Sequence, residues 1–220
     1  MYHIISGPNR SYSSLTMQIL NALGLPVVGT RDHNIPNIPE IENKNMFEFE
    51  GMATEGLKKD IFDEHIIKIL LHGLTNTNPS ILANSKTIMC MRPPIEVAYS
   101  ADEIGGREFT PLWPYQEWMR FLLWLKDNPW FIDNIILLNT NNYFKSPETA
   151  IQSLSELFGV SPSVPVLESC VKLIRPKKQR DLKWSEQHME MGIFVDKLFD
   201  CVCLGDYDRA INLAFRRLYD

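Results

Sequence analysis

The chain has 220 residues, of which 45% are apolar, and carries a formal net charge of −5. This length and composition predict one domain with a sizeable core, and the acidic charge argues against broad binding to nucleic acid or an anionic membrane. Any anion site must therefore be local. The apolar runs are far shorter than the roughly 20 residues of a membrane-spanning helix, and the sequence begins without an export leader.

The four cysteines lack the paired spacing of a zinc site and are few for a disulfide-rich secreted protein. We therefore expect reduced thiols, a cytoplasmic location and no metal. Cys201 and Cys203 are one residue apart, which leaves a metal pair as the less favoured alternative.

Short apolar runs of strand length alternate with longer segments of helical spacing, which is typical of α/β proteins. The predicted strands cover residues 2–5, 66–71, 87–91 and 134–138. The first is followed by a glycine-containing loop and by a helix over 11–23, which Gly24 is suited to end.

The rest of the chain continues this alternation. Residues 30–45 hold two prolines and no regular period, so they predict a surface loop, whereas 54–65 and 94–104 have helical patterns. A helix over 114–126 carries Trp118, Phe121 and Trp124, which we expect in the core. Ser146 and Pro147 mark the start of another helix, and the C-terminal third is mostly helical after a basic segment at 172–183.

The loop after the first strand has the composition of a phosphate site. Free backbone N–H groups and the positive end of the helix dipole meet where a strand turns directly into a helix. Arg10 adds a fixed charge that can bind phosphate oxygens in a bidentate manner. A serine-capped helix without a ligand is the alternative interpretation of this segment alone. The candidate ligands of the anion are Arg10, Ser11, Tyr12, Ser13 and Ser14.

A nucleoside-triphosphatase loop needs Gly-Lys before its Ser or Thr. Tyr12 and Ser13 occupy those two positions here, so a kinase or ATPase is disfavoured.

A second motif supports the phosphate interpretation. The strand at 87–91 runs into Arg92, and Ser100 follows eight residues later. This pair resembles the motif with which the sulfotransferase family holds the 3′-phosphate of its nucleotide, and the loop at 10–15 resembles that family's 5′-phosphosulfate loop. Weaker similarity at 42–48, 139–147 and 158–160 extends the resemblance over about residues 3–180.

The resemblance implies a fold and a function. The fold is an α/β three-layer sandwich with a central, mainly parallel sheet, like that of P-loop nucleoside triphosphatases. The function is transfer of a sulfuryl group from 3′-phosphoadenosine 5′-phosphosulfate (PAPS) to a hydroxyl or amine of a small molecule or glycan. In this interpretation Arg92 and Ser100 bind the 3′-phosphate, and the short chain is similar to bacterial or viral members.

Two departures from the family pattern indicate an alternative. Tyr12 stands where the family has glycine, and a side chain there is strained if the backbone needs a positive φ. Residues 139–142 (Asn-Thr-Asn-Asn) replace the usual Arg-Tyr-Glu-Asp. A non-catalytic, nucleotide-binding or scaffold member of the family therefore remains the second hypothesis.

Three residues are candidates for catalysis. Glu48 matches the glutamate of the family's Gly-Tyr-Phe-Glu segment and is the first choice of base, with a solvated surface carboxylate as its alternative. His72 follows the second strand run, and an ordinary histidine at a strand end is its alternative. Lys68 interrupts an apolar strand and is placed like the family lysine that offsets charge on the sulfuryl oxygens.

The basic segment 175–180 is a further candidate for the nucleotide site. The family has such a segment near its C-terminal end, which implies that Lys177 and Arg180 close over the nucleotide. A solvated charged face is the alternative.

Overall fold

The computed structural model describes residues 2–28, 55–58, 64–97, 100, 112–175 and 186–219. Their strands are β1 (Tyr2–Ser6), β2 (Ile66–Lys68), β3 (Ser85–Met91) and β4 (Ile135–Asn139). Their helices are α1 (Ser13–Ala22), α2 (Leu71–Leu74), α3 (Pro79–Ala83), α4 (Leu112–Asp127), α5 (Asn142–Lys145), α6 (Pro147–Leu157), α7 (Val164–Leu173), α8 (Glu186–Cys203) and α9 (Tyr207–Tyr219), with a 3₁₀-helix over Pro129–Asn134. Residues 94–97 are also helical.

The strands form a parallel sheet in the order β2-β1-β3-β4. Ile4 pairs with Ile67 on one side and with Thr87 on the other. The chain thus leaves β1 toward β2 and then crosses to the opposite side of β1 for β3. Reversals of this kind open a crevice at the carboxyl ends of the two strands, where α/β proteins bind their ligands.

Successive side chains of a strand point to opposite faces of the sheet, and apolar side chains lie on both faces here. Helices therefore cover both faces. Ile4 and Ile67 belong to one core, together with α4, α8 and α9. Ile5 and Ile66 belong to the other, together with α1, α6 and α7. The α/β class and the three-layer arrangement around a parallel sheet are confirmed.

The aromatic helix is also confirmed. Trp118 and Phe121 are buried in α4, and Trp124 packs against the same core. None of the helices in the described part of the chain is long and apolar enough to cross a membrane.

The second strand is shorter than predicted. The strand ends at Lys68 and the chain turns into α2 at Leu71, although the Ile69 and Leu71 amides still donate to the Ile5 and Gly7 carbonyls, at 3.0 and 2.9 Å. Ile69 and Leu70 are buried although they follow the strand, so the apolar run continues beyond its end. Apolar composition alone does not distinguish a strand from a buried turn. His72 consequently lies in α2 and is exposed, not at the end of a strand.

The helix predicted over 54–65 is wrong at the described residues 56–58 and 64–65, which are not helical. Gly56 has a φ of +77°, which a right-handed helix does not permit, and it packs against the backbone of Gly73. The predicted loop at 30–45 and the segment 42–48 lie outside the described residues. Of the helix predicted over 94–104, residues 94–97 and 100 are described, and they are helical.

Candidate functional site

The loop between β1 and α1 begins at a position that requires glycine. Gly7 has a φ of +146°, and a Cβ there would collide with the Ser11 hydroxyl and approach the Cys90 carbonyl oxygen at 2.8 Å. The Ser11 amide then donates to the Pro8 carbonyl at 3.2 Å, which folds the loop back toward α1. The sequence thereby forms a tight turn at the crevice between β1 and β3.

Two loop residues have left-handed backbone. Arg10 has a φ of +67° and Tyr12 a φ of +68°. This conformation costs a residue with a Cβ about 1–2 kcal/mol, so the strain anticipated for Tyr12 from the sequence is present. The Tyr12 ring offsets this strain with two contacts. The Arg92 guanidinium lies 4.2 Å from its centroid, and the Phe144 ring centroid lies 4.9 Å away.

Side chains from the loop and from the end of β3 meet in one depression. The Arg10 Nε donates to the Ser100 Oγ at 3.1 Å, and an Arg92 terminal nitrogen donates to the Arg10 carbonyl at 2.6 Å. Arg92 also contacts the Glu96 carboxylate, at 3.4 Å. The two motifs, some 80–90 residues apart in sequence, are therefore joined by direct hydrogen bonds.

Lys68 forms the other part of the depression. It is buried on β2, and its Nζ donates to the Ser14 Oγ at 3.1 Å. A buried ammonium is costly unless other groups compensate its charge. Of the described residues that line the depression, three are cationic and none is acidic, which suits an anionic ligand. The lining consists of Asn9, Arg10, Tyr12, Ser13, Ser14, Leu15, Lys68, Leu70, Arg92 and Ser100.

A buried polar cluster supports the loop from behind. The Thr16 hydroxyl lies 3.0 Å from the Tyr143 hydroxyl and 3.5 Å from the Cys90 sulfur, and it donates to the Tyr12 carbonyl at 3.1 Å. Burial raises the pKa of the Tyr143 hydroxyl far above its usual range and the pKa of the Cys90 thiol to about 12. Both groups stay protonated at neutral pH, and their role is structural.

Residues 139–142 join the ends of two strands. The Thr140 amide and hydroxyl both donate to the Met91 carbonyl, at 3.0 and 2.9 Å. The Asn141 amide donates to the Asn139 side chain at 3.1 Å. These contacts place β4 beside the end of β3 without any charged side chain from 139–142.

Glu117 is part of the site, although the sequence analysis did not identify it. It is only 5% exposed on α4, and its Oε2 accepts a hydrogen bond from the Asn9 amide at 3.2 Å. Burial raises the pKa of its carboxyl to about 7, while the Asn9 amide and Arg120 act in the opposite direction. A signal was present, because Glu117 interrupts the helical face that carries Phe121 and Trp124, as Lys68 interrupts its strand.

The structure brings most of the predicted site residues together. Ser11 is buried beneath the loop, where its Oγ has no hydrogen-bond partner, and it does not line the depression. His72 is exposed on α2 and is not among the lining residues. Glu48, Lys177 and Arg180 lie outside the described residues. The predicted residues that do line the depression are Arg10, Tyr12, Ser13, Ser14, Lys68, Arg92 and Ser100.

Comparison with known proteins gives a distant structural likeness and no match in sequence. No protein-family model and no curated protein sequence matches the chain. Among solved structures, it is similar to retinol dehydratase in complex with androsterone and the inactive cofactor PAP, with a TM-score of 0.46 and 13% sequence identity. The match covers 78% of this chain and 63% of retinol dehydratase, so the chain spans less than two thirds of that protein's length.

Proposed function

We propose that the chain binds PAPS in the depression at the ends of β1 and β3 and transfers its sulfuryl group to a hydroxyl or amine of a small molecule or glycan. The observation that carries this proposal is the hydrogen bond between the Arg10 Nε and the Ser100 Oγ. It joins the loop that resembles a phosphosulfate site to the motif that resembles a 3′-phosphate site.

The residues present fit such a nucleotide. Arg92 and Ser100 belong to the motif that resembles a 3′-phosphate site. Arg10 and Ser14 belong to the loop that resembles a phosphosulfate site, and Lys68 donates to Ser14. A nucleotide with a 3′-phosphate and a 5′-phosphosulfate would contact cationic side chains through both groups. We assign the 3′-phosphate to Arg92 and Ser100, and the phosphosulfate to the loop that carries Arg10, beside Lys68.

The transfer is an in-line displacement at sulfur. The bond between sulfur and the bridging oxygen breaks, the 5′-phosphate leaves with the electron pair, and the acceptor oxygen or nitrogen bonds to sulfur after giving its proton to a base. By analogy with phosphoryl transfer, positioning and charge stabilisation dominate. Lys68 is suited to offset the charge that develops on the leaving oxygen. Glu48 stays the first candidate base and His72 the second.

A nucleotide-binding protein without transfer activity is the second candidate. Residues 139–142 favour it, because they carry no charged side chain where the sulfotransferase pattern has Arg-Tyr-Glu-Asp, and Tyr12 has a φ of +68° where that pattern has glycine. Binding of the desulfated nucleotide without turnover of PAPS on a broad acceptor panel would support this candidate.

The decisive experiment is calorimetry with 3′-phosphoadenosine 5′-phosphate. We expect Arg92→Ala to weaken binding by at least about tenfold, while Arg209→Ala, on the exposed side of α9, leaves it unchanged. Adenosine 5′-monophosphate lacks the 3′-phosphate, so its binding should be far less sensitive to Arg92→Ala. Absence of nucleotide binding, or tighter binding of ATP with Mg²⁺, contradicts the proposal.

A further inference from the structure

A buried carboxylate holds the loop of the candidate anion site. Asn9 lines the depression, and its backbone amide donates to the Glu117 Oε2 at 3.2 Å. Glu117 itself does not line the depression and lies on α4, 108 residues away in sequence. The contact fixes the first half of the loop relative to the helical layer.

This carboxylate places a negative charge behind a site that attracts anions. Backbone amides of such a loop are the usual donors to phosphate, and here one of them already donates to a carboxylate. In a buried setting, charges of the same sign interact strongly because solvent screens them poorly. An anion that enters the depression therefore disfavours the ionised form of Glu117.

We infer that Glu117 is a positioning residue of the loop that takes up a proton when the nucleotide binds. This inference rests on the proposed function for the identity of the ligand. A protonated carboxyl group still offers its carbonyl oxygen to the Asn9 amide, so the loop keeps its anchor while the opposing charge disappears.

The surroundings of Glu117 support proton uptake near neutral pH. Burial raises the pKa of its carboxyl to about 7, so the ionised and neutral forms are close in free energy before any ligand arrives. Arg120, one turn along α4, is the charged side chain that opposes this rise. The described elements packed against α4 carry further titratable or charged groups. These are His72 on α2, Asp133 on the 3₁₀-helix, Glu190, Asp196, Lys197, Asp200, Cys201 and Cys203 on α8, and Tyr207, Asp208, Arg209 and Arg216 on α9.

Proton uptake is measured by calorimetry of 3′-phosphoadenosine 5′-phosphate binding at pH 8 in buffers of different ionisation enthalpy. With a pKa of about 7, free Glu117 is about 90% ionised at pH 8, so wild-type protein should take up as much as about 0.9 of a proton. Phosphate groups titrate near pH 6 and are already ionised at pH 8. Glu117→Gln keeps an acceptor for the Asn9 amide but cannot titrate, and it should lack this uptake.

The pH dependence of affinity gives a second readout. Between pH 6 and pH 8 the affinity of wild-type protein should fall, relative to that of Glu117→Gln, by about tenfold, which is the change in the protonated fraction of Glu117. The ratio of the two affinities cancels the titration of the nucleotide itself. Glu156→Gln, an exposed substitution on α6, is the matched control and should retain the wild-type pH profile.

The outcomes separate the two proposals. Nucleotide binding with equal proton uptake in wild-type protein and Glu117→Gln overturns the role of Glu117 and leaves the proposed function standing. Absence of nucleotide binding by folded wild-type protein at both pH values overturns the proposed function and the inference with it. Should Glu117→Gln fail to fold, the uptake of less than about 0.2 of a proton by wild-type protein at pH 8 is sufficient to reject the inference.

Discussion

Glu117→Gln should change the pH dependence of folding in the absence of any ligand. The folded protein raises the pKa of this carboxyl from 4.5 to about 7, because burial disfavours the charged form. Between these two pH values the folded state binds more protons at this site than the unfolded state does. The contribution of the protonated carboxyl to the free energy of unfolding is therefore fully present below pH 4.5, and it is lost as the pH rises through about 7.

The magnitude follows from the same shift. Each unit of difference between the pKa values of the folded and unfolded states corresponds to about 1.4 kcal/mol. Ionisation of Glu117 therefore lowers the free energy of unfolding by about 3 kcal/mol above pH 7. Glutamine preserves the size of the side chain and its acceptor oxygen but carries no charge. We expect the free energy of unfolding of Glu117→Gln, relative to wild type, to increase by about 3 kcal/mol between pH 4.5 and pH 8.

Urea denaturation at several pH values, followed by tryptophan fluorescence, measures this difference. Glu156→Gln removes an exposed carboxylate and should show a constant difference from wild type. Other groups that titrate in this range, such as His3, are common to all three proteins and cancel. Parallel stability curves for wild type and Glu117→Gln would refute the reasoning, because they would mean that burial does not disfavour the Glu117 charge.

The remaining predictions concern the support of the loop. Thr16→Val removes a hydroxyl that contacts the Tyr143 hydroxyl and the Tyr12 carbonyl, and the loss of buried hydrogen bonds should lower the free energy of unfolding by about 1–3 kcal/mol in urea. Tyr12→Gly relieves left-handed strain but loses the contact with Arg92, so its stability should stay within about 1 kcal/mol of wild type. Calorimetry should then show weaker binding of 3′-phosphoadenosine 5′-phosphate, because Arg92 loses the ring that orients it, and an unchanged or tighter affinity would contradict this role of Tyr12.

The sequence predicted the sheet because its inner strands, β1 and β3, are buried on both faces. Ile4 and Ile5 face opposite cores, so the strand is a continuous apolar run that stands out from the helical spacing around it. The end of β2 was not predictable in this way. The chain turns into α2 at Leu71, and residues 69–71 are buried and apolar like Ile66 and Ile67 before them.

The candidate site was predictable where its residues form motifs with fixed spacing. Arg10, Arg92 and Ser100 belong to such motifs, and the structure places them in contact. Glu117 belongs to no motif, because its partner is a backbone amide whose position depends on the packing of α4 on the sheet. Its position on an apolar helical face was visible in the sequence, but the group that it contacts was not.

The geometry of Tyr12 explains how the loop keeps a side chain at a left-handed position. A left-handed residue with a side chain persists only where its surroundings compensate the strain. Here the ring contacts the Arg92 guanidinium and the Phe144 ring, and the Tyr12 carbonyl accepts from Thr16. The aromatic side chain that is strained in the backbone thus also orients the cation proposed to bind the 3′-phosphate.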